Sequence, residues 1–258
     1  MAKPVNLLNL GTRENIHNTN LGIGKTFDII EALSFMDLNR WDDDFQGDTL
    51  HGGYQSTASG AASAAAALVA GTLGGIVRLD TGTDDNGRSD LSLGRHYTGE
   101  QAALMVARVK ISAITSFKLE IGFTDVVSGT DAGAVNNADT PTFNADDFCG
   151  LVFDTDYFTG SAAGRLMGVA ATVAAAVTNT AFTPTAAAYF TVAIALQDTT
   201  MHVVIMNASH EVLYRGQLAL AITKTVLLTP WIFAQTRVIT TGKTLDIDKL
   251  HVRQHIYT

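Results

Sequence analysis

The chain has one cysteine, Cys149, in 258 residues. No disulfide can form within it, so its stability rests on packing. A single thiol fits a reducing compartment, and equally an oxidising one if the core is large enough. Charge is also scarce: charged residues make up 16%, against the ~25% usual in globular chains. The 17 basic residues form no long run and are outnumbered by 25 acidic ones, for a net charge of −8. That balance disfavours non-specific nucleic-acid binding, which needs Lys and Arg to neutralise phosphates. Met1-Ala2-Lys3-Pro4 lacks the basic region and apolar run of a signal peptide. Two stretches, Gln55–Val77 and Leu166–Gln197, carry no formal charge, but both are mostly small residues, and the second contains Asn179 and Pro184. Membrane insertion favours Leu, Ile, Phe and Val instead, so no membrane span is expected. There is no Gly-x-Ser-x-Gly elbow, Walker loop, His-Glu-x-x-His helix or Cys-x-x-Cys pair.

Against these absences stand 47% apolar residues and 23 glycines. The length suits one large β-sandwich or two small domains. Phe117, Leu119, Ile121 and Phe123 alternate with Lys118, Glu120 and Gly122. This two-residue period is that of a half-buried strand with its odd positions facing the core. Strands are also expected at Gly75–Leu79, Ser89–Leu93, Ala103–Ile111, Asp146–Phe153, Leu166–Val173, Tyr189–Leu196, Thr200–Met206, Val212–Arg215, Val226–Leu228, Trp231–Thr236 and Leu245–His255. Asp84-Asp85-Asn86-Gly87 is a turn, and Asn207–His210 closes a hairpin. Ala61–Ala67 has helical propensity without caps. Residues 127–145 form a connection longer than usual, rich in Gly, Asn, Asp and Thr. No fixed-length repeat is present, which excludes solenoids and propellers.

The first 40 residues differ from the rest. Gly11–Gly24 is polar and rich in Gly and Asn. Lys25–Leu38 has apolar residues near helical spacing at Phe27, Ile30 and Leu33. The expected organisation is an N-terminal arm with a short helix over residues 1–40, serving docking or oligomerisation, and a β domain over 41–258. The helix either packs on its own domain or contacts another subunit.

Few residues suggest chemistry. In Trp41-Asp42-Asp43-Asp44-Phe45 two aromatics bracket three carboxylates. A solvated strand edge explains the cluster, with Trp41 and Phe45 on one face; a calcium site is the functional alternative. No EF-hand spacing follows, so the metal question stays open. Asp154 and Asp156 lie on one side of a strand, roughly 7 Å apart by the strand rise, within the separation glycosidases use. A strand end accounts for them equally. His202 and His210 flank a surface hairpin. Cys149 sits in an apolar strand and reads as a buried structural thiol. Tyr97, Tyr157, Tyr189 and Trp231 are the aromatics that could form a glycan platform, if exposed on one sheet face. No catalytic residue and no cofactor is expected.

The order of several phrases points further. Trp41–Phe45 is followed by Gly74-Gly75-Ile76-Val77-Arg78-Leu79. Then come Ala107–Lys110, Ile121–Asp125, Phe148–Asp154 and Leu245–Asp248. From Trp41 to the C-terminus this order resembles the concanavalin-A-like, laminin-G-like jelly rolls in structural proteins of tailed-phage virions. The resemblance implies an all-β, antiparallel jelly-roll β-sandwich. It implies a non-enzymatic virion component assembled in the host cytoplasm: a capsid decoration or head-fibre protein, or a tail-associated one. Its partners would be other virion proteins, the major capsid protein or tail components, in a homo-oligomer. The enzymes of this broad fold carry a Glu-x-Asp-x-Glu type strand, which is missing here. The alternative is a carbohydrate-binding, host-receptor-binding tail-associated protein.

Overall fold

The computed structural model describes residues 38–60, 64–72, 74–126, 133–156, 163–171, 173–237 and 241–255. The expected arm lies outside the described residues up to position 37, and so does the expected helix except for its last residue, Leu38, which opens a strand. Among the described residues there is no helix. The strands are β1 (Leu38–Asp43), β2 (Ala58–Ser59), β3 (Ala65–Leu68), β4 (Val77–Asp80), β5 (Arg88–Ser92), β6 (Leu104–Ile111), β7 (Phe117–Thr124), β8 (Val135–Asn137), β9 (Thr142–Phe143), β10 (Phe148–Asp154), β11 (Arg165–Ala170), β12 (Val173–Asn179), β13 (Tyr189–Gln197), β14 (Thr200–Asn207), β15 (Val212–Leu218), β16 (Thr229–Thr236) and β17 (Thr244–His255).

They form an eight-stranded sheet in the order β15-β14-β13-β6-β17-β4-β3, with β1 joined to β17. A seven-stranded sheet runs β12-β11-β10-β7-β16-β5-β2, and β8 and β9 make a separate hairpin. Neighbours along both long orders are antiparallel. Strands distant in sequence pair in space, as β6 does with β13 and β17, so this is an antiparallel β-sandwich with crossovers between its layers.

The core forms between the inner faces. On β6, Met105, Ala107, Val109 and Ile111 are buried and the residues between them half-exposed. On β13 and β14 the inward residues are Phe190, Val192, Ile194, Met201, Val203 and Ile205. From the opposite sheet come Phe117, Leu119, Ile121 and Phe123. Full burial of each such side chain contributes roughly 1.5–3 kcal/mol.

The seven-stranded sheet departs from the half-buried expectation. Every residue of β7 is buried, including Lys118, Glu120 and Thr124. A second apolar cluster lies on the outer face of this sheet. It joins Phe148, Val152, Met167, Val169, Trp231 and Phe233 to Ala134, Val135, Ala138 and Ala145. The last four belong to residues 133–147, within the connection between the adjacent strands β7 and β10. The sequence marked this connection as a long loop, and its β8–β9 hairpin covers the sheet.

Other expectations shift locally. Ala65–Leu68 is an edge strand and not part of a helix. Val226–Leu228 supplies only an isolated bridge from Leu228 to Tyr97. The Ala-rich segment Val173–Asn179 is a full strand beside β11. Tertiary pairing overrides alanine's weak strand preference at both sites.

Candidate functional site

An open cavity furnished with polar groups lies where β1 ends. It has a volume of about 560 Å³, and its lining includes Arg40, Trp41, Asp43, Gln46, Thr49 and His51. Trp41 enters on β1. The chain then turns through Phe45, whose φ of 57° is rare for an aromatic residue. The backbone N–H of Phe45 donates to Asp43 Oδ1 at 2.6 Å, which helps hold the turn. Phe45 is buried and its ring lies 5.7 Å from that of Tyr54. Trp41 packs edge-on against His51 and Tyr54, at 4.7 and 5.3 Å between centroids, and its Nε1–H donates to the Tyr54 hydroxyl at 2.8 Å. Gly53 is required beneath it, because a Cβ there would come within 2.6 Å of the indole. Burial, reinforced by nearby Asp43, pushes the Tyr54 phenol well above its ordinary pKa.

The three carboxylates diverge. Asp42, which also lines the cavity, sits beside Arg40, Lys249 and His251. Partial burial raises its pKa, but the Arg40 hydrogen bond and the nearby Lys249 charge, with His251 adding to them, overcome the effect and hold it below the usual value. Asp43 is committed to the Phe45 turn, and Asp44 accepts from Gln46 Nε2 at 2.8 Å. Among the described residues no group of three or more His, Cys, Asp or Glu side chains could hold a metal ion. What the cavity offers is an indole, an imidazole, an amide, a hydroxyl, two carboxylates and a guanidinium. That set gives and accepts hydrogen bonds beside apolar surface.

A second polar constellation is sealed under residues 133–147. The Glu120 carboxylate accepts from Ala134 N at 2.9 Å, Val135 N at 3.1 Å and Trp231 Nε1 at 2.8 Å. Lys118 Nζ lies 2.8 Å from Glu120 and donates to the Val135 carbonyl. Burial pulls the Lys118 ammonium below its ordinary pKa, opposed by the charge of Glu120. Gly133 has φ +90°, and a Cβ there would sit 2.6 Å from Glu120 Oε1. Trp231 stacks on Phe233 at 5.8 Å. Nothing in the local sequence marks Glu120: alternation placed it on a solvent face, and the hairpin that buries it lies more than a dozen residues on.

The remaining candidates scatter. Asp154 is fully buried and pairs with Arg237, whose Nε donates to Asp154 Oδ1 at 3.0 Å while Nη2 reaches Oδ2. Asp156 follows in the turn, where its N–H donates to Asp154 at 3.2 Å. Burial raises its pKa against the pull of Arg237. His202 is half-buried in mid-strand and His210 exposed in the hairpin turn. Cys149 is free, fully buried and in the main core, and burial drives its thiol pKa up. Of the platform aromatics, Trp231 and Tyr97 are buried, with the Tyr97 phenol pushed up to about 12 by burial. Tyr157 lies outside the described residues. Tyr189 is half-buried on the outer face of the eight-stranded sheet, with Arg108 4.2 Å from its ring centroid. Among the described residues, Tyr97, Tyr189 and Trp231 form no shared aromatic platform.

No family model matches the chain, and no curated protein matches it. Solved structures do. A protein of unknown function, SO2946, from Shewanella oneidensis MR-1 is 15% identical, with 88% of this chain and 94% of that chain covered and a TM-score of 0.60. Peanut lectin is 10% identical over 86% of this chain and 100% of that chain, with a TM-score of 0.59. Lectin II from Ulex europaeus is 9% identical over the same shares, with a TM-score of 0.58. At such identities the likeness extends to the fold alone, and that fold is the concanavalin-A-like jelly roll of the legume lectins.

Proposed function

We propose that this chain is a non-enzymatic structural protein of a tailed-phage virion, a capsid decoration or head-fibre protein. The observation that carries the non-enzymatic part is the engagement of two buried carboxylates, Asp154 and Glu120. Asp154 is held by Arg237. Glu120 is filled by two backbone amides, an indole and an ammonium. A hydrolase needs one carboxyl group free to donate a proton and another free to attack or to activate water. Neither residue is free to do so. The virion role rests on the ordered phrases from Trp41 to Asp248 and on the seamless sandwich they build. Purified particles of a phage encoding the chain test it: antibody against the protein should decorate them, and the recombinant protein should rebind particles stripped of it. Particles lacking the chain altogether overturn the virion role. Cleavage of any polysaccharide in a bacterial panel overturns the non-enzymatic reading.

A second reading, carbohydrate binding, is supported by the furnished cavity at Trp41 and by the lectins among the structural neighbours. Its test is indole fluorescence of the intact protein titrated with bacterial surface glycans. Saturable quenching that Trp41→Ala abolishes would favour a receptor-binding role.

A further inference from the structure

The outer face of the eight-stranded sheet is organised in rows fixed by strand register. One row reads His251, Val106, Ala193, Val204, Arg215 from β17 across to β15. The next reads Arg253, Leu104, Ala195, His202, Gln217. On the other side, Lys249 and Arg108 lead across Thr191 to Met206. The centre of the face is therefore apolar: Leu104, Val106, Ala193, Ala195, Val204 and Met206, all half-exposed. Its flanks carry cations and imidazoles. Asp246 and Asp248 answer Arg78, Lys110 and Arg108 toward one end. Arg215 and Arg253, both exposed, have no ion-pair partner among the described residues.

An apolar centre with a polar, charged rim is the anatomy of a protein–protein contact. The sign of this rim runs against the chain, whose net charge is −8. Two such faces stacked about a two-fold axis would bring like charges together. An acidic surface would neutralise them. The chain itself supplies exposed carboxylates in the loops, at Asp44, Asp48, Asp85 and Asp146.

We propose that the outer face of the eight-stranded sheet, centred on Val106, Ala193 and Val204 and rimmed by Arg215 and Arg253, docks against an acid-rich surface of a second copy of this chain. Unlike surfaces meet, so the contact is heterologous and repeats around a ring or along a filament. Sedimentation velocity on the full chain tests this. Association should weaken at least about tenfold between roughly 50 mM and roughly 500 mM NaCl, because exposed charges are screened over that range. The double substitution Arg215→Glu, Arg253→Glu should abolish association while leaving the circular dichroism spectrum unchanged, and Arg215→Lys, Arg253→Lys should retain it. Hydrogen exchange on the assembled protein should show protection both on β6, β13 and β14 and on a separate acid-rich surface. A monomer at every concentration and salt overturns the proposal. So does association indifferent to charge reversal, or protection confined to the sheet face.

Discussion

Asp90 shows how a single buried carboxyl couples this sandwich to pH. Its Oδ1 accepts the Thr57 N–H at 3.1 Å, its own N–H donates to the Thr57 carbonyl, and its Oδ2 has no hydrogen-bond partner among the described residues. Burial raises its pKa to about 7, with Arg88 opposing and Glu120 adding to the shift. Because the folded value lies above the unfolded one, the neutral form favours the native state. The stability it gives is fully present below about pH 4 and lost as pH rises through 7, up to about 4 kcal/mol. Asp90→Asn should flatten that slope in urea denaturation, gaining on the parent protein at pH 8 and not at pH 4; parallel curves would refute the coupling. Asp154 makes the opposite case. Asp154→Asn removes the charge that Arg237 Nε and Nη2 both grip in the buried pair, so it should cost roughly 3–5 kcal/mol, read as a lowered denaturation midpoint. Reading Asp154 with Asp156 as a carboxylate pair placed it on a strand and missed both its burial and its partner. Arg237 is 83 residues away in the chain, and no local pattern joins them. Glu120 was hidden for the same reason: strand alternation reports one face of a sheet, and cannot say that a distant hairpin covers the other.

At the level of elements, legibility followed the side chains. β6, β7, β13 and β14 alternate branched or aromatic residues with polar or small ones, and all four lie where the period put them. β3 and β12 are built largely from alanine, which does not announce a strand, so pairing with β4 and β11 defines them. The β8–β9 hairpin was hidden within polar loop composition. Its attachment leads to a third prediction. Glu120→Gln keeps the shape and removes the charge that Ala134 N–H, Val135 N–H and Trp231 share. Amides 134 and 135 should then exchange with deuterium faster, while amides in the β7–β16 ladder keep their protection. Equal acceleration everywhere would mean that the hairpin is no separate unit. The edge strand β15 is a different kind of element: a bulge opposite Ile205 and Met206, and the exposed Arg215, discourage indiscriminate strand addition there.

For the whole molecule, Asn39–His255 is the larger compact unit by its contacts. The larger unit contains both sheets and both apolar clusters, so residues 39–255 alone should give a β-dominated circular dichroism spectrum and a single cooperative melt; an unfolded product would place essential core contacts outside it. The sandwich class was legible because it follows from periodicity, which the chain displays over many strands. The role was not, because this fold hosts many functions and a role resides in particular surfaces. One further property follows from Cys149. As the sole thiol, sealed between the layers on the interior strand β10, it is a ready-made stopwatch for complete opening of the sandwich. An aromatic disulfide reagent should modify it at the rate of global unfolding, in one kinetic phase. The Glu120→Gln protein, with its hairpin loosened, should open locally many times before that clock records a single event.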